Sequence, residues 1–395
     1  MRSFMKGVSV LVLGFYVLPL PAAGEESTVR VKFLTGKHGV RVYWGSDALA
    51  RRELAGINYQ PTEDSKPIHY YTEGPGSMTE LLAPLLAAKD PVLRELGMIR
   101  RGQDHARLLT QETGAHVLRL YYLPPGDSKD VQGVIKILNR GYELYGLRVV
   151  LMHWAGLWNI PGAPELRENT PKQQAAVAAS VRQWVKTYGR LKGLLYFILG
   201  NENDYHVRGG PHTWRVLPMD FEVYITFMSE LAVAAKEAES EIGTEHPILF
   251  GCGAGTLLSP ENKYANRSEI RVFDGLAVNF YGGRKPSDGP IEAIRRLFLI
   301  GKTMHLPIFI SETGKWAMTP GDPAAADYRD RLLPYLREAD NLVGVTWFEA
   351  TDEGWKRGED PKFNDDLIES HYGILGKVLQ KDLFTEKGLE RDIRL

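Results

Sequence analysis

Cysteine is almost absent: Cys252 is the single thiol in 395 residues, so no disulfide can close within the chain. Stability must come from core burial, for which this length is ample. Excess charge of one sign is missing too. Lys and Arg number 48 against 49 Asp and Glu, a formal net charge of −1, with no basic or acidic block. That argues against nucleic acid or an anionic membrane as the partner and favours a neutral one. No Gly-x-Ser-x-Gly elbow occurs, which disfavours a serine hydrolase. His206 and His212 stand six apart, a spacing that suits no common metal site, so neither a metal nor another cofactor is expected. Repeats and low-complexity tracts are also missing.

Only one stretch resembles a membrane or export signal, and it stands at the start. Arg2 and Lys6 precede an apolar run from Val8 to Leu20, which ends in Pro21-Ala22-Ala23-Gly24 and then Glu25-Glu26. The order positive, apolar, small is that of a secretory signal over residues 1–24, and the run is short for a bilayer span. An uncleaved anchor is the alternative. Cleavage near Gly24 leaves 395 − 24 = 371 residues, with no later apolar stretch long enough to cross a membrane. The expectation is a secreted or periplasmic monomer with no stable membrane insertion. Residues 25–50 form an N-terminal extension, whose loose alternation (Val29, Val31, Phe33; Val40, Val42) suggests a hairpin over the floor of the domain that follows.

What is present is an alternation of two patterns across residues 51–385. Strand-like runs begin near Glu53, His116, Arg148, Leu194, Pro247, Phe273, Pro307 and Leu342. Between them lie helical stripes: Val131, Val134, Ile135, Leu138, Tyr142 and Tyr145 with Gly146 as a stop; Val177, Val181, Trp184, Val185 and Tyr188; and Phe221 to Ala235, opened by Asp220 as an N-cap. Eight strand-then-helix units make an α/β chain with the (β/α)8 TIM-barrel fold and one catalytic domain. An open doubly wound sheet would carry a glycine-rich turn after its first strand, and Gly56-Ile57-Asn58-Tyr59-Gln60-Pro61 is not one. The long connection from Pro61 to Ala115 is expected to supply part of a cleft wall.

In such barrels the reactive groups gather at the carboxyl ends of the strands. Those ends carry Tyr59, Arg119, Tyr121, His153, Trp154, Asn201, Glu202, Asn279, Tyr281, Glu312, Trp347 and Glu349. Aromatic rings stack on sugar faces, and amides and carboxylates hydrogen-bond hydroxyls, so the rim reads as a cleft for a polysaccharide or oligosaccharide. Trp154, Trp158, Trp214, Trp316 and Trp355 are further candidate platforms. Glu202 and Glu312 each follow a buried strand directly and fall across the mouth from one another. One carboxylic acid to protonate the leaving oxygen and one carboxylate opposite are what glycoside hydrolysis needs. A gap of about 5 Å between them gives retention, and one of about 7–9 Å gives inversion. His153 is balanced between a subsite contact and a core histidine.

Asn201-Glu202 after the fourth strand and Glu312 in Ile310-Ser311-Glu312-Thr313-Gly314 after the seventh resemble the retaining clan A glycoside hydrolases. The resemblance implies Glu202 as acid/base, Glu312 as nucleophile, Asn201 on the sugar's 2-hydroxyl and Tyr281 hydrogen-bonded to the nucleophile. It also implies Arg119 keeping Glu312 ionised and Trp347 flooring the subsite where the bond breaks. Trp347 to Lys356 is similar to the eighth-strand signature of the family 17 β-1,3-glucanases and glucanosyltransferases, as is Glu369 to Ile374 to that family's closing segment. This adds Glu349, Glu353 and Lys356, beside Tyr59 and His153, to the candidate substrate contacts. Gly56 to Pro61 instead resembles the family 72 glucanosyltransferases, and the long first loop departs from family 17. The implied activity is a retaining β-glycosidase on a β-glucan, β-1,3-linked in the favoured reading. A transglycosylase on the same site and a non-catalytic polysaccharide-binding barrel of an export or assembly system are the alternatives.

Overall fold

The computed structural model describes residues 30–348 apart from 38, 60–76, 122, 125, 127–128, 158–163, 165, 209, 211–216, 261, 283–288 and 315–323. Residues 1–29, Trp158, Trp214, Trp316, Trp355, Glu349, Glu353, Lys356 and residues 369–374 therefore lie outside the described residues. Three short strands come first: β1 (Val31–Gly36), β2 (Gly39–Trp44) and β3 (Asp47–Ala48). Eight more follow: β4 (Ala55–Asn58), β5 (Val117–Leu120), β6 (Arg148–His153), β7 (Leu194–Leu199), β8 (Ile248–Gly253), β9 (Gly275–Asn279), β10 (Ile308–Thr313) and β11 (Leu342–Trp347). These eight pair in parallel and in chain order, and β11 returns to β4 to close the barrel. Each of the eight begins within a few residues of an apolar run in the sequence, because strands buried on both faces need no polar side.

Among the described residues five long helices pack outside: α1 (Lys129–Tyr145), α2 (Pro171–Tyr188), α3 (Phe221–Ile242), α4 (Pro290–Met304) and α5 (Ala324–Glu338). Local chemistry sets their ends. Thr170 caps α2 in a reciprocal box with Gln173, with Pro171 in the first turn. Asp220 accepts the Val223 N–H at the start of α3, and Gly243 ends it in the left-handed conformation. Val177, Val181, Trp184, Val185 and Tyr188 form the buried face of α2. Among the described residues no helix is long and apolar enough to cross a membrane.

Of the β4–β5 connection expected to supply part of a cleft wall, residues 60–76 lie outside the described residues. Residues 77–115 form short helical turns whose Leu82, Leu85, Leu86, Leu93 and Leu109 join the same buried layer as the barrel's outer face. Asp130 at the start of α1 accepts the N–H groups of Met78 and Thr79 and clamps the first of these turns. This segment fills the place of a helix, so its apolar residues face the strands.

Under the barrel, β1 and β2 form an antiparallel hairpin extended by β3. It docks on the amino ends of the barrel strands, where Val31 N–H donates to Glu245 O and Val40 N–H to Asp340 O. Phe33 packs edge-on against Tyr196 of β7, 5.3 Å between ring centres, and Tyr196 donates to Val343 O at 2.8 Å. Val31, Val42 and Leu54 thus complete the interior column of Val117, Ile198, Leu249 and Phe309. Gly39 makes the approach possible: its φ is +97°, and a Cβ there would lie 2.2 Å from Asp340 O. Gly39→Ala is therefore expected to destabilise the fold by at least about 2 kcal/mol, read as a lower urea midpoint at unchanged m-value.

Candidate active site

Alternation along each strand decides which side chains reach the barrel axis. Arg119 of β5 is wholly buried and points inward, with Asn58 of β4 as its register partner. Its Nη1 donates to Glu312 Oε1 at 2.7 Å and to Asn58 Oδ1 at 3.2 Å. Its Nη2 donates to Asn201 Oδ1 at 2.7 Å and lies 3.2 Å from Met152 Sδ. The guanidinium also sits 4.3 Å from the ring centre of Tyr121. Burial alone pulls its pKa down, but the facing charges of Tyr121 and Glu312 outweigh that and raise it. Arg119 is a permanent cation at the centre of the mouth.

Glu312 owes its aim to an irregularity. Phe309 faces the interior and Ile310 faces the helices, so strict alternation would send Ser311 in and Glu312 out. The register of β10 slips between Ile310 and Glu312 against β9, and again before Thr313 against β11. This bulge turns both Ser311 and Glu312 inward while Thr313 goes back to Tyr328 of α5. Three donors then converge on the Glu312 carboxylate: Arg119 Nη1 and the Tyr121 hydroxyl (2.8 Å) on Oε1, and the Tyr281 hydroxyl (2.7 Å) on Oε2. Glu312 is only 6% exposed, whereas Tyr281 is 37% exposed.

Glu202 is held differently. β7 ends at Gly200 with φ +81°, and Glu202 itself takes φ +54°, a left-handed conformation that costs a non-glycine residue about 1–2 kcal/mol. The turn is pinned on both sides. Asn203 accepts the Asn201 N–H at 2.9 Å and donates to Trp154 O at 2.8 Å. Asp204 accepts the Gly253 N–H at 3.1 Å, and the Tyr205 hydroxyl accepts the Gly255 N–H at 2.7 Å. A Cβ on Gly253 would fall 2.1 Å from the Tyr205 ring, so glycine is needed for this close approach. Burial pushes the Asp204 carboxyl up to about 6 against the hydrogen bonds that favour its charge. It anchors the loop from within, leaving the half-buried Glu202 as the carboxylate of this turn at the mouth.

Three residues read from the sequence as sugar contacts turn the other way. Tyr59 follows the inward Asn58 and therefore faces the helix layer, its hydroxyl 2.6 Å from His105 Nδ1. His153 follows the inward Met152; its Nδ1 accepts the Ala155 N–H and its Nε2 lies 3.2 Å from Ser180 Oγ, beside Trp184. It is a satisfied core histidine. Trp347 is 3% exposed and packs on Tyr328, so it cannot floor a sugar subsite. Phe348 takes the place at the mouth, its ring 6.4 Å from Tyr121 and 6.1 Å from Tyr281. The structure thus brings Asn201, Arg119, Tyr281 and Glu312 to one place, with Glu202 next to Asn201 in the chain. It adds Asn58, Tyr121, Asn279, Ser311 and Phe348, of which Tyr121 and Asn279 already stood out at strand ends. Asn58 carried a signal as well, being a polar residue inside an apolar run.

No family model matches the chain, and no curated protein matches it in sequence. Solved structures do match in shape. GH5_18 from Streptomyces cattleya in complex with GlcNAc is 15% identical with a TM-score of 0.53, over 86% of this chain and 78% of that one. The exo-β-1,4-mannosidase Op5Man5 from Opitutaceae bacterium strain TAV5 is 17% identical with a TM-score of 0.57, over 86% and 58%. The fold is that of the (β/α)8 glycoside hydrolases. A β-glucuronidase from Bacteroides uniformis is similar too, at 14% identity and a TM-score of 0.51, and the chain covers 88% of itself but only 35% of that protein. At these identities the likeness is one of architecture.

Burial lowers the His153 pKa from 6.5 to about 4. A histidine whose folded pKa is depressed stabilises the fold while neutral, above its unfolded pKa. That contribution is lost as pH falls from about 6.5 towards 4, because only the unfolded chain takes up the proton. The loss amounts to about 3 kcal/mol for this group. Urea midpoints at pH 7 and pH 4.5 should differ less in His153→Gln than in the unmutated protein.

Proposed function

We propose that the chain is a retaining β-glycosidase with Glu312 as nucleophile and Glu202 as acid/base. The observation that carries this reading is the convergence of Arg119, Tyr121 and Tyr281 on Glu312. An sp2 carboxylate oxygen has two lone-pair directions, and Arg119 and Tyr121 occupy both on Oε1. Among the described residues Oε2 accepts only from Tyr281, which leaves it a lone pair for attack. Asn201, bonded to the same guanidinium, carries Glu202 as its next residue.

In the first step Oε2 of Glu312 bonds to the anomeric carbon as the glycosidic C–O bond breaks. Glu202 gives its proton to the departing oxygen. In the second, Glu202 takes a proton from water, the water oxygen bonds to the anomeric carbon, and Glu312 leaves as a carboxylate. Asn201 meets the sugar's hydroxyl side, and Phe348 lends its apolar face.

The proposed substrate is a neutral β-glucan, β-1,3-linked, supported by the resemblance of residues 347–356 to the family 17 signature and by the balanced charge. The chain is proposed to act as a monomer outside the cytoplasm, supported by the export-like order of residues 1–24. A linkage-resolved digest tests the reading, using β-glucans, β-mannans and β-galactans beside aryl β-mannosides, β-glucuronides and β-GlcNAc compounds. The last three classes follow the names of the structural neighbours. Turnover of β-1,3-glucan should exceed the rest, and products longer than the substrate would mark transfer to a sugar in place of water. Glu312→Ala and Glu202→Ala should each cut kcat by at least about 10²-fold with the fold intact by circular dichroism. Binding without turnover in the unmutated protein would sink the catalytic reading and leave a polysaccharide-binding barrel.

A further inference from the structure

The hydrogen bonds at the mouth have a fixed direction that starts from Arg119. A guanidinium only donates, so the Asn201 atom 2.7 Å from Nη2 must be the amide oxygen. The Asn279 atom 3.1 Å from that same oxygen must then be a donor, Nδ2. Asn279 Oδ1 is thereby turned to Ser311 Oγ, which donates to it at 2.8 Å. One cation fixes the orientation of two amides and one hydroxyl. Asn279 is buried with both amide atoms engaged. Asn201 Oδ1 has both lone pairs filled, and among the described residues its Nδ2 meets no acceptor.

We propose that Asn279 is a positioning residue that, with Ser311 behind it, locks the Asn201 amide with Nδ2 facing the cleft, so that the site selects sugars offering an oxygen acceptor there. Without Asn279 a single bond from Arg119 holds the amide, and Asn201 can swing about it. Specificity for that hydroxyl then falls more than the rate on a sugar lacking it. A site built to bond a hydroxyl rejects the analogue without it, because its own polar group is left unpaired. The proposal rests on the glycosidase reading only for its kinetic readout. The resemblance of the Asn201-Glu202 pair implies that the hydroxyl concerned is the one at C2.

The test measures kcat/KM on aryl β-glycosides lacking one ring hydroxyl each, for the unmutated full chain, Asn279→Ala and the milder Ser311→Ala. Removing one hydroxyl, at C2, should cost the unmutated protein at least about tenfold, and that cost should shrink to about twofold in Asn279→Ala and to an intermediate value in Ser311→Ala. A uniform slowing across the whole series, or an undiminished cost, overturns the proposal and leaves Asn279 a packing residue. If Asn279→Ala does not fold, Ser311→Ala alone decides by the same criterion.

A second readout needs no turnover and separates this proposal from the enzyme reading. The side-chain amide resonance of Asn201, identified by its loss in Asn201→Asp, should move and show faster hydrogen exchange in Asn279→Ala and Ser311→Ala. An unchanged resonance overturns the proposal. A protein that cleaves none of the glycosides but shows the shifted resonance loses the catalytic reading and keeps this one.

Discussion

A cation sealed inside a barrel needs acceptors in place of water, and Arg119 organises the mouth because of that: its two Nη groups find them, while Nε meets none among the described residues. A guanidinium removed from water carries a desolvation cost of several kcal/mol unless acceptors replace the lost solvent. Asn58, Asn201 and Glu312 supply those acceptors from three strands or strand ends, and the Tyr121 ring covers one face. None of these three acceptors is near Arg119 in sequence; only Tyr121, two residues on, is. The requirement therefore couples barrel closure to the site: β4, β5, β7 and β10 must all be in register before the charge is satisfied.

The two carboxylates then depend on two local departures from regular geometry. A bulge in β10 brings Glu312 to the axis beside Ser311. A left-handed turn after β7 lifts Glu202 clear of the strand, held by Asn203, Asp204 and Tyr205 against the loops of β6 and β8. Each departure forgoes part of a regular hydrogen-bond pattern and is held by neighbours that can adopt no other place. Such irregularities belong where a side chain must be aimed, and the rest of the barrel stays regular around them. The hairpin below contributes at the other end, filling the floor with Phe33, Val31 and Val42 and keeping water from the interior column that ends at Arg119.

The strands and helices were legible in the sequence because burial writes itself as local periodicity: apolar runs for β4 to β11, a four-residue rhythm for α1 to α3. Arg119, Asn201, Tyr281 and the two glutamates were legible because polar residues at the ends of apolar runs are costly without a task. Tyr59, His153 and Trp347 looked the same by that criterion, yet each stands one place off the inward parity of its strand. Their partners His105, Ser180 and Tyr328 lie in the helix layer. The described part of the first connection fills a helix's place, which its length alone did not record.

By itself, then, the sequence determined the number of barrel units, the stop of α1 and the N-cap of α3, and which residue types crowd the strand ends. Those are matters of nearest neighbours along the chain. Only the closed barrel decided which of two adjacent side chains faces the axis, because a one-residue slip exchanges inside for outside and no local pattern records it. It was the bulge at Ser311 and Glu312, and the donor-only chemistry of Arg119 across the mouth, that turned a list of polar residues into a site with a direction.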